Sequence, residues 1–269
     1  MSSSPYLVKP GSKVNLGRID PDSTGSLGTK EAARAELDRL RERIDELQVR
    51  LYAERRQSLL IVLQATDTGG KDGAIKRVFK GVNAQGLRVH SFKQPTGEEL
   101  EHDFLRRIHK ATPGKGMIGV FNRSHYEDVL VVRVHGIAPK TVWSPRFAAI
   151  NAFERTLSQH GTRIIKFFLH ISKEEQKERL QARLDDPTKI WKFNSGDLDD
   201  RARWDDYQTA FQDALSKCST ELAPWYVIPS NRKWARDVAI TQIVAQTLEE
   251  MNPQFPSPEE GLDSIVIPD

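Results

Sequence analysis

The sequence predicts an α/β fold in which a parallel sheet of five strands is covered by helices on both faces. Three observations point to it. Short apolar runs alternate with stretches of helical periodicity from residue 58 onward, as in a parallel sheet whose crossovers are helices. The first apolar run ends in a turn of small residues. That turn leads directly into a lysine at the start of a helical pattern, the arrangement of a phosphate-binding loop.

The N-terminal part of the chain is an arm followed by a long helix. Residues 1–27 are rich in Gly, Pro, Ser and Asp and read as extended chain. Between residues 29 and 56, apolar residues recur every three or four positions, at Leu37, Leu40, Ile44, Leu47 and Leu51. This spacing predicts an amphipathic helix. We expect its stripe to pack on the core, although such a stripe could also join two subunits.

The remaining elements follow in alternation. We expect strands at 59–63, 87–92, 117–121, 164–171 and 225–228. We expect helices near 72–83, 98–110, 124–133, 146–160, 172–184, 204–218 and 233–250. No repeat or linker divides them, so we interpret residues 1–269 as one domain. Within it, residues 1–56 form the arm and first helix, and about 172–206 form a lid module.

Composition excludes several classes of protein. Hydrophobic residues make up 38% and charged residues 29% of the chain, which is typical of a soluble globular protein. The single cysteine, Cys218, excludes an internal disulfide framework. No apolar run approaches the roughly 18 residues of a membrane helix, and the N-terminus lacks a signal-peptide core. We therefore expect a cytoplasmic protein. The seven histidines show no metal-ligand spacing.

The turn after the first strand has the character of a phosphate loop. Gly70 and Lys71 fit the pattern G-x-x-x-x-G-K-[ST], whereas Ala65 replaces its first glycine and Asp72 its hydroxyl residue. Backbone N–H groups, the helix dipole and the lysine charge would together hold an anion. Asp67 within the loop would repel phosphate unless Mg²⁺ lay between them. It is therefore a candidate metal ligand or base, or simply a helix cap.

A basic stretch follows the loop. Residues 71–93 contain six basic residues and one acid, Asp72, which suggests a polyanionic substrate. Three of these basic residues, Lys76, Arg77 and Lys80, share a part of the predicted helix away from its apolar stripe. They could line a track for a long anion, or they could be an ordinary solvated face.

Polar residues gather at two further places. Asn122, Arg123, Glu127 and Asp128 follow the third strand, at the sheet edge where ligands bind in open α/β folds. The two acids could instead be the first turn of a helix. Farther along, Arg179 and Arg183 lie one turn apart, and a segment interrupted by Pro187 and Gly196 follows them. This is typical of a mobile basic lid and also of a surface helical hairpin.

These motifs together resemble the polyphosphate kinase 2 family. They are ATDTGGKDG at 65–73, SFKQP at 91–95, FNRSHYED at 121–128, QKERLQAR at 176–183 and WKF at 191–193, with NRKW at 231–234 and MNPQF at 251–255. The similarity covers about residues 5–256. It implies a P-loop kinase fold of three α/β/α layers with a helical lid. It also implies metal-dependent phosphoryl transfer between inorganic polyphosphate and a nucleotide, with Mg²⁺, or Mn²⁺ in its place.

The resemblance also implies roles for individual residues. Asp67 and Lys71 become the catalytic loop pair, Arg123 a phosphate ligand, and Arg179 and Arg183 lid arginines. We add that the other loop residues bind nucleotide or phosphate together with two residues after the third strand: Thr68, Gly69, Gly70, Asp72, Gly73, Asn122 and Glu127. Some family members carry aspartate where this chain has Asn122, so we assign the second metal ligand to Asp128.

The Asn122 and Glu127 combination is similar to the class III branch, which accepts nucleoside mono- and diphosphates. We accordingly expect AMP and ADP as acceptors, a homo-oligomer (a dimer or a tetramer), and neither a nucleic-acid nor a membrane partner. Two other functions remain open at this point. One is an ATP-dependent P-loop kinase of a small metabolite, and the other is a polyanion-binding protein without activity.

Overall fold

The computed structural model describes residues 4–262, 265 and 267. The other terminal positions of the predicted 1–269 domain lie outside the described residues. The five predicted strands are present and all are parallel. They are Ser58–Ala65 (β1), Leu87–Ser91 (β2), Ile118–Asn122 (β3), Thr162–His170 (β4) and Trp225–Pro229 (β5). Their order across the sheet is β2-β3-β1-β4-β5.

The central strand explains the continuous apolar run in the sequence. All eight residues of β1 are buried, because helices cover both of its faces. Leu59, Ile61 and Leu63 point to one apolar cluster, and Leu60 and Val62 point to the other. Alternate side chains of a strand face opposite sides, so a single run of leucine, isoleucine and valine supplies the middle of both clusters.

Helices form the outer two layers. They are Lys30–Glu54 (α1), Lys71–Val78 (α2), Gly97–Leu100 (α3), Arg106–Ala111 (α4), Val131–Val134 (α5), Lys140–Trp143 (α6), Arg146–Gln159 (α7), Lys173–Leu184 (α8), Gly196–Ala202 (α9), Trp204–Cys218 (α10) and Lys233–Met251 (α11). Among them α1, α2 and α11 cover one face of the sheet. On the opposite face lie α7 and α10.

The first helix packs as predicted. The apolar stripe of α1 is buried against the sheet-facing cluster, so it belongs to the core of the chain. Thr29 caps the helix, since its Oγ1 accepts a hydrogen bond from the Ala32 N–H at 3.2 Å. Arg55 ends it in a left-handed conformation, at φ 53°.

Three predicted helices are shorter or divided, each for a local reason. The helix expected at 98–110 is split into α3 and α4, because the Asp103 carboxylate accepts from the Leu105 N–H at 3.0 Å and forms a turn there. The helix expected at 124–133 is a 3₁₀ turn, His125–Asp128, followed by α5, since Leu130 leaves helical geometry at ψ −87°. The helix expected at 72–83 ends at Val78, before Gly81 at φ 92°.

The topology decides where a site can form. From β1 the chain crosses to the edge strand β2, returns to β3 between them, and then passes to β4 and β5 on the other side of β1. Ligands in open α/β sheets bind at the carboxyl ends of the strands, where this direction reverses. The segments that follow β1, β3, β4 and β5 all meet at that edge.

No helix in residues 4–262 is both long enough and apolar enough to cross a membrane.

Candidate active site

The phosphate loop joins the end of β1 to the start of α2. Thr68 and Gly70 both take positive φ, 61° and 95°, which folds the loop tightly. A Cβ on Gly69 would lie 2.4 Å from the Ala65 Cβ, so glycine is required there. Within the described chain, the buried hydroxyls of Thr66 and Thr68 have no hydrogen-bond partner. The loop thus carries unused hydrogen-bonding groups.

Lys71 folds back over this loop. Its Nζ donates to the Ala65 carbonyl at 3.2 Å. Burial lowers its pKa, and repulsion from Arg123 adds to that shift, whereas Asp67 and Glu127 oppose it. The ammonium group therefore sits among the groups that the sequence singled out. An anion bound on the loop would stabilise its charged form.

Asp67 pairs with Arg123 across the strand ends. The Arg123 Nη2 lies 3.1 Å from an Asp67 carboxylate oxygen. Arg123 itself has φ 62°, and its N–H donates to the Leu63 carbonyl at 3.1 Å. The N-cap of α2 is Gly70, and no side chain of the described residues caps the helix, so the alternative of Asp67 as a helix cap is wrong for this structure.

Two adjacent acids after β3 point in different directions. Glu127 lines a small cavity together with Asp67 and Arg123, and burial raises its pKa. Asp128 instead accepts a hydrogen bond from the Arg146 Nη1 at 2.8 Å. It lines neither that cavity nor the main cleft. The expected metal role of Asp128 is therefore not supported, and Glu127 takes its place beside the loop.

Asn122 connects β3 to the start of α2. Its Nδ2 donates to Asp72 at 2.7 Å and reaches the Ser91 Oγ at 3.4 Å. An aspartate at position 122 would face the Asp72 carboxylate without a donor between them. The asparagine is thus matched to Asp72, the residue that departs from the hydroxyl of the standard loop pattern.

Arg179 has a different environment from the one expected for a mobile lid. It is 9% exposed. Its Nη1 donates to the Thr68 carbonyl at 3.0 Å and its Nη2 to the Ser230 carbonyl at 2.6 Å. Its Nε pairs with Glu175 at 2.6 Å. Arg179 therefore holds the phosphate loop from behind, joining it to the end of β5.

Arg183 lies one turn farther along α8. Its Nη1 is 3.1 Å from the Asp197 carboxylate and 3.3 Å from the Lys192 carbonyl, so it ties α8 to the segment that follows. Lys189, Lys192 and Asn194 from that segment also face the cleft. The sequence placed the lid at 172–206, and these contacts lie within that range.

Only one of the three residues expected to line a polyphosphate track faces the cleft. Arg77 lies in its wall and pairs with Asp237 of α11. Lys76 and Lys80 are exposed and are not among the described residues that line it. Gly73 allows this position of Arg77, because a Cβ there would lie 3.0 Å from the Arg77 Nη2.

The phosphate loop, Asn122, Arg123 and the basic residues of the lid surround one open cleft of about 810 Å³. Its three acids, Asp67, Asp72 and Asp197, are already partnered by Arg123, Asn122 and Arg183. From the part of the chain that the structure describes, its walls carry ten cationic side chains: Lys71, Arg77, Lys93, Arg123, Arg179, Arg183, Lys189, Lys192, Lys233 and Arg236. Cations so much in excess indicate a ligand with several negative charges.

Comparison with known proteins identifies the family. The family model for polyphosphate kinase 2 matches residues 28–256. The chain belongs to the polyphosphate kinase 2 family. The predicted family, the α/β fold and the enzyme class, a phosphotransferase that uses polyphosphate, are thereby confirmed.

Individual relatives cover nearly the whole chain. An AMP/ADP-polyphosphate phosphotransferase of Meiothermus ruber is 52% identical over 97% of this chain and 98% of its own length. An ADP-polyphosphate phosphotransferase of Rhodopseudomonas palustris is 42% identical over 93% of this chain and 91% of its own. A crystal structure of polyphosphate kinase 2 from Arthrobacter aurescens TC1 superposes with a TM-score of 0.91 at 46% identity, covering 94% of this chain and 92% of that one.

Sequence reasoning missed several groups in this polyphosphate kinase 2 site. Asp200 and Tyr207 line the small cavity beside Asp67. The Tyr207 hydroxyl donates to Asp200 at 3.0 Å. Arg236 was missed because it lies more than 160 residues beyond the loop. The available signal was a basic cluster directly after the last strand, where a parallel sheet brings it to the same edge.

Proposed function

We propose that this protein transfers phosphate from inorganic polyphosphate to nucleotides and accepts both AMP and ADP. The observation that carries the proposal is the cleft in which the phosphate loop meets ten cations of the described chain, with the carboxylates Asp67 and Glu127 in the small cavity beside it. A metabolite kinase has to neutralise only the phosphates of one nucleotide. A cleft with this much positive charge suits two polyanions bound together.

The reaction requires mainly that the two substrates are positioned and that their negative charge is neutralised. One phosphoryl group moves in line between two anions, and little covalent work falls to the protein. The N–H groups at the start of α2 and the Lys71 ammonium would hold the phosphates that flank the reacting centre. Arg123, fixed by Asp67 at 3.1 Å, would stabilise charge on the transferring group.

A divalent cation fits the acids beside the loop. Among the described residues no three His, Cys, Asp or Glu side chains form a preformed metal site. Asp67 and Glu127 share one cavity wall, and Mg²⁺ commonly takes one or two carboxylates and completes its shell with water and phosphate. We propose that these two residues hold Mg²⁺, or Mn²⁺ in its place. When bound, the cation neutralises phosphate charge and orients the reacting groups.

The metal proposal has its own test. Asp67→Asn should raise the Mg²⁺ concentration for half-maximal activity by about tenfold, whereas Asp128→Asn should leave that midpoint in place. Isothermal titration of Mg²⁺ into the protein with bound nucleotide gives a readout independent of turnover. A shifted midpoint in Asp128→Asn with an unshifted one in Asp67→Asn would restore the assignment made from the sequence.

Water exclusion falls to the lid. Residues 185–195 follow α8 and place Lys189 and Lys192 in the cleft wall. We propose that this segment closes over the bound phosphates, which suppresses transfer to water. Arg183, paired with Asp197 across it, would exchange that partner for phosphate on closure.

The choice of acceptor rests on the residues after β3. Glu127 stands beside Asp67, and Asn122 holds Asp72, the combination that resembles the class III branch. The 52% identical relative named for both AMP and ADP supports the same assignment. We also propose a cytoplasmic homo-oligomer, a dimer or a tetramer. Its one cysteine is free and buried, as suits a reducing compartment.

One assay tests the main proposal. Purified protein with polyphosphate, Mg²⁺ and AMP, ADP, GMP or GDP in turn should form the next higher phosphate of each, resolved by chromatography. Omitting polyphosphate is the matched control. If ADP reacts and AMP does not, the family assignment stands and acceptance of both is wrong. If nucleotides change only when ATP is supplied as donor, the protein is an ordinary P-loop kinase.

A further inference from the structure

The two edges of the sheet differ in what covers them. At the β5 edge, the N-terminal arm pairs with the strand: the Val8 N–H donates to the Trp225 carbonyl and the Val227 N–H to the Tyr6 carbonyl, both at 2.9 Å. At the β2 edge, no strand of the described residues pairs with the outer side. An edge strand presents backbone groups that are ready to pair with another segment. The open edge of the sheet is therefore β2.

The outer side of β2 is accessible along most of its length. Four of its five residues are exposed, and Val89 is 45% exposed although it is apolar. The Phe92 N–H donates inward to the Asn122 carbonyl at 3.0 Å. Because backbone groups alternate in direction along a strand, those of Val89 and Ser91 point away from the sheet. A further strand can pair with both.

A basic groove of about 260 Å³ lies beside this edge, between β2 and the helices α3 and α4. Of its two acids, Glu99 already accepts from the Thr96 N–H at 2.9 Å and pairs with Arg107, which leaves Glu98. Three further cations of the groove have no ion-pair partner among the described residues: Arg88, Arg106 and Lys110. Positive charge is thus in excess, and the β2 edge favours an acidic partner.

The C-terminal segment has the complementary character. Residues 256–269 contain four acids and no lysine or arginine. Within them Ile265, Val266 and Ile267 form a β-branched run, the kind of sequence that is enriched in strands. Ile265 is 62% and Ile267 is 87% exposed, so neither belongs to the core. The run also lies outside residues 28–256, which match the family model.

This segment starts near the open edge. The Arg50 guanidinium group lies 6.0 Å from the centre of the Phe255 ring, in the C-terminal half of α1. Gly86, directly before β2, packs on the same half of that helix and leaves no room for a side chain beside the Gln48 amide. Ile265 follows Phe255 by ten positions, which span up to about 33 Å when extended. A helix is only about 10–12 Å wide, so the segment can cross α1 and reach β2 of its own chain.

Charge disfavours two other pairings of these surfaces. A second copy of β2 would bring the Arg88 side chains of both copies to one strand pair, and like charges that face each other across strands are destabilising. An apolar cavity of about 400 Å³ lies between the arm and α11, but it carries Glu221 and Glu250. Its Arg163 already pairs with Glu250. That cavity would repel an acidic segment, whereas the groove beside β2 attracts it.

We propose that residues 263–268 bind to the outer edge of β2 in the same chain and form a sixth strand. Backbone hydrogen bonds to Val89 and Ser91 supply the pairing, as where other extended segments add to a sheet edge. Ile265 and Ile267 then share one face of the new strand, and the acids of the segment stay beside the basic groove. This contact covers the edge that would otherwise pair with other chains.

Hydrogen exchange of the β2 amides tests this contact in the full-length protein. In the wild type, residues 86–92 should exchange about tenfold more slowly than in Ile265→Asp/Ile267→Asp, because pairing protects edge amides from opening. The difference should persist when the protein is diluted. Leu222→Asp replaces another exposed aliphatic side chain, next to β5, and is the matched control. It should leave exchange in β2 at the wild-type rate.

A pair of charge variants tests the choice of surface. Arg88→Gln removes a cation from the groove beside β2 and should speed exchange of residues 86–92. Arg163→Gln removes a cation from the apolar cavity between the arm and α11 and should not. Thermal melting of both variants reports separately on folding.

Three results would overturn the inference. If residues 86–92 exchange equally fast in the wild type and in Ile265→Asp/Ile267→Asp, the segment does not cover β2. If their protection disappears on dilution of the wild type, a second copy covers the edge. If the double variant and Arg163→Gln instead speed exchange around Tyr226, the segment binds in the apolar cavity. None of these measurements involves phosphate transfer, so a failure of the proposed function would leave them unchanged.

Discussion

Charged side chains are buried at two places in this protein, and their charges are balanced to different extents. In the core between β4 and α7, the Lys166 ammonium contacts Glu154 at 2.5 Å, the Tyr126 hydroxyl at 2.8 Å and the Cys218 carbonyl at 2.7 Å. Each of its three donors has an acceptor. At the start of α11, a cation cluster of four residues (Arg77, Arg179, Lys233 and Arg236) shares the carboxylates of Glu175 and Asp237. The Arg236 Nη1 has no described partner.

This difference distinguishes a buried charge network that stabilises the fold from a group of cations that can bind a ligand. Glu154 also accepts from the Tyr126 hydroxyl at 2.9 Å and lies 3.2 Å from a ring nitrogen of His125. The Lys166 and Glu154 charges are thus paired within the core, and the atom of this network left without a described partner, the His125 Nδ1, belongs to a ring whose pKa is lowered by burial. The network fixes the 3₁₀ turn that carries Glu127. A paired charge requires no ligand, whereas a surplus of one sign beside a phosphate loop favours one.

The largest effect on stability is expected in the core, where the buried charges are paired with each other. Lys166→Met should lower the free energy of unfolding by about 3–5 kcal/mol, because Glu154 is left as an uncompensated buried charge. Urea denaturation measures this. The double variant Lys166→Met/Glu154→Leu should be more stable than Lys166→Met alone. A single variant within 1 kcal/mol of the wild type would show that the network is open to water.

In the cleft, removing a cation should cost turnover and not stability. Lys71→Ala should lower kcat by on the order of 10²-fold or more, because a charge directed at the developing negative charge is lost. Its melting temperature should stay at the wild-type value. Lys115→Ala, an exposed lysine near the amino end of β3, is the control. A normal kcat in Lys71→Ala would show that the charge of this loop residue does not take part in phosphoryl transfer.

Arg179 is a member of the cation cluster and lines the cleft, but it is buried as the core network is. Arg179→Ala should lower the free energy of unfolding by about 2 kcal/mol, because the carbonyls of Thr68 and Ser230 lose a charged donor. Turnover should fall along with stability. Arg179→Lys should recover little, since one ammonium group cannot replace the fork of a guanidinium group.

Two roles of Arg179, contact with phosphate and support of the fold, can be distinguished by measuring unfolding and kinetics on both Arg179 variants. Lys177→Ala, on the exposed face of the same helix, is the control. Lost turnover with unchanged stability would return Arg179 to the role of a lid arginine that touches phosphate. Unchanged turnover with lost stability would make it purely structural.

The smallest effect concerns Asp128 and pH. Burial raises its pKa to about 6 despite the neighbouring Arg146. Between the ordinary value and about 6 the folded protein keeps a proton that the unfolded chain releases, so this group's contribution to stability falls as pH rises through that window. Asp128→Asn should remove this dependence. Urea unfolding at pH 4.5 and pH 7 should show the variant gaining on the wild type at the higher pH. An equal difference at both values would contradict the raised pKa.

Local chemistry made much of the site predictable from the sequence. The phosphate loop, Lys71 and Asp67 are contiguous in the chain, and the strand before them is recognisable because both of its faces are buried. The five strands follow from the same alternation. The family followed from the motifs and is confirmed, whereas the interpretation of residues 1–269 as one domain stays a prediction.

What lay beyond the sequence was the direction of individual side chains. Glu127 and Asp128 are neighbours of the same charge, and nothing in their order says which one faces the loop. A 3₁₀ turn in place of the expected helix rotates them, and Arg146 from α7 captures Asp128. Likewise Arg77 turns toward Asp237 of α11, whereas its neighbour Lys76 is left in solvent.

By itself, then, the sequence determined which backbone elements form and which stretch binds phosphate, because periodicity and loop composition act over a few residues. Tertiary structure alone decided which charges remain without partners. Arg236 lies beneath Gly70 only because β5 ends beside β4 and starts α11 at the sheet edge that also carries the loop. Contacts between residues more than 160 positions apart leave no periodic trace, and packing selects among the many cations of the chain those that meet at the cleft.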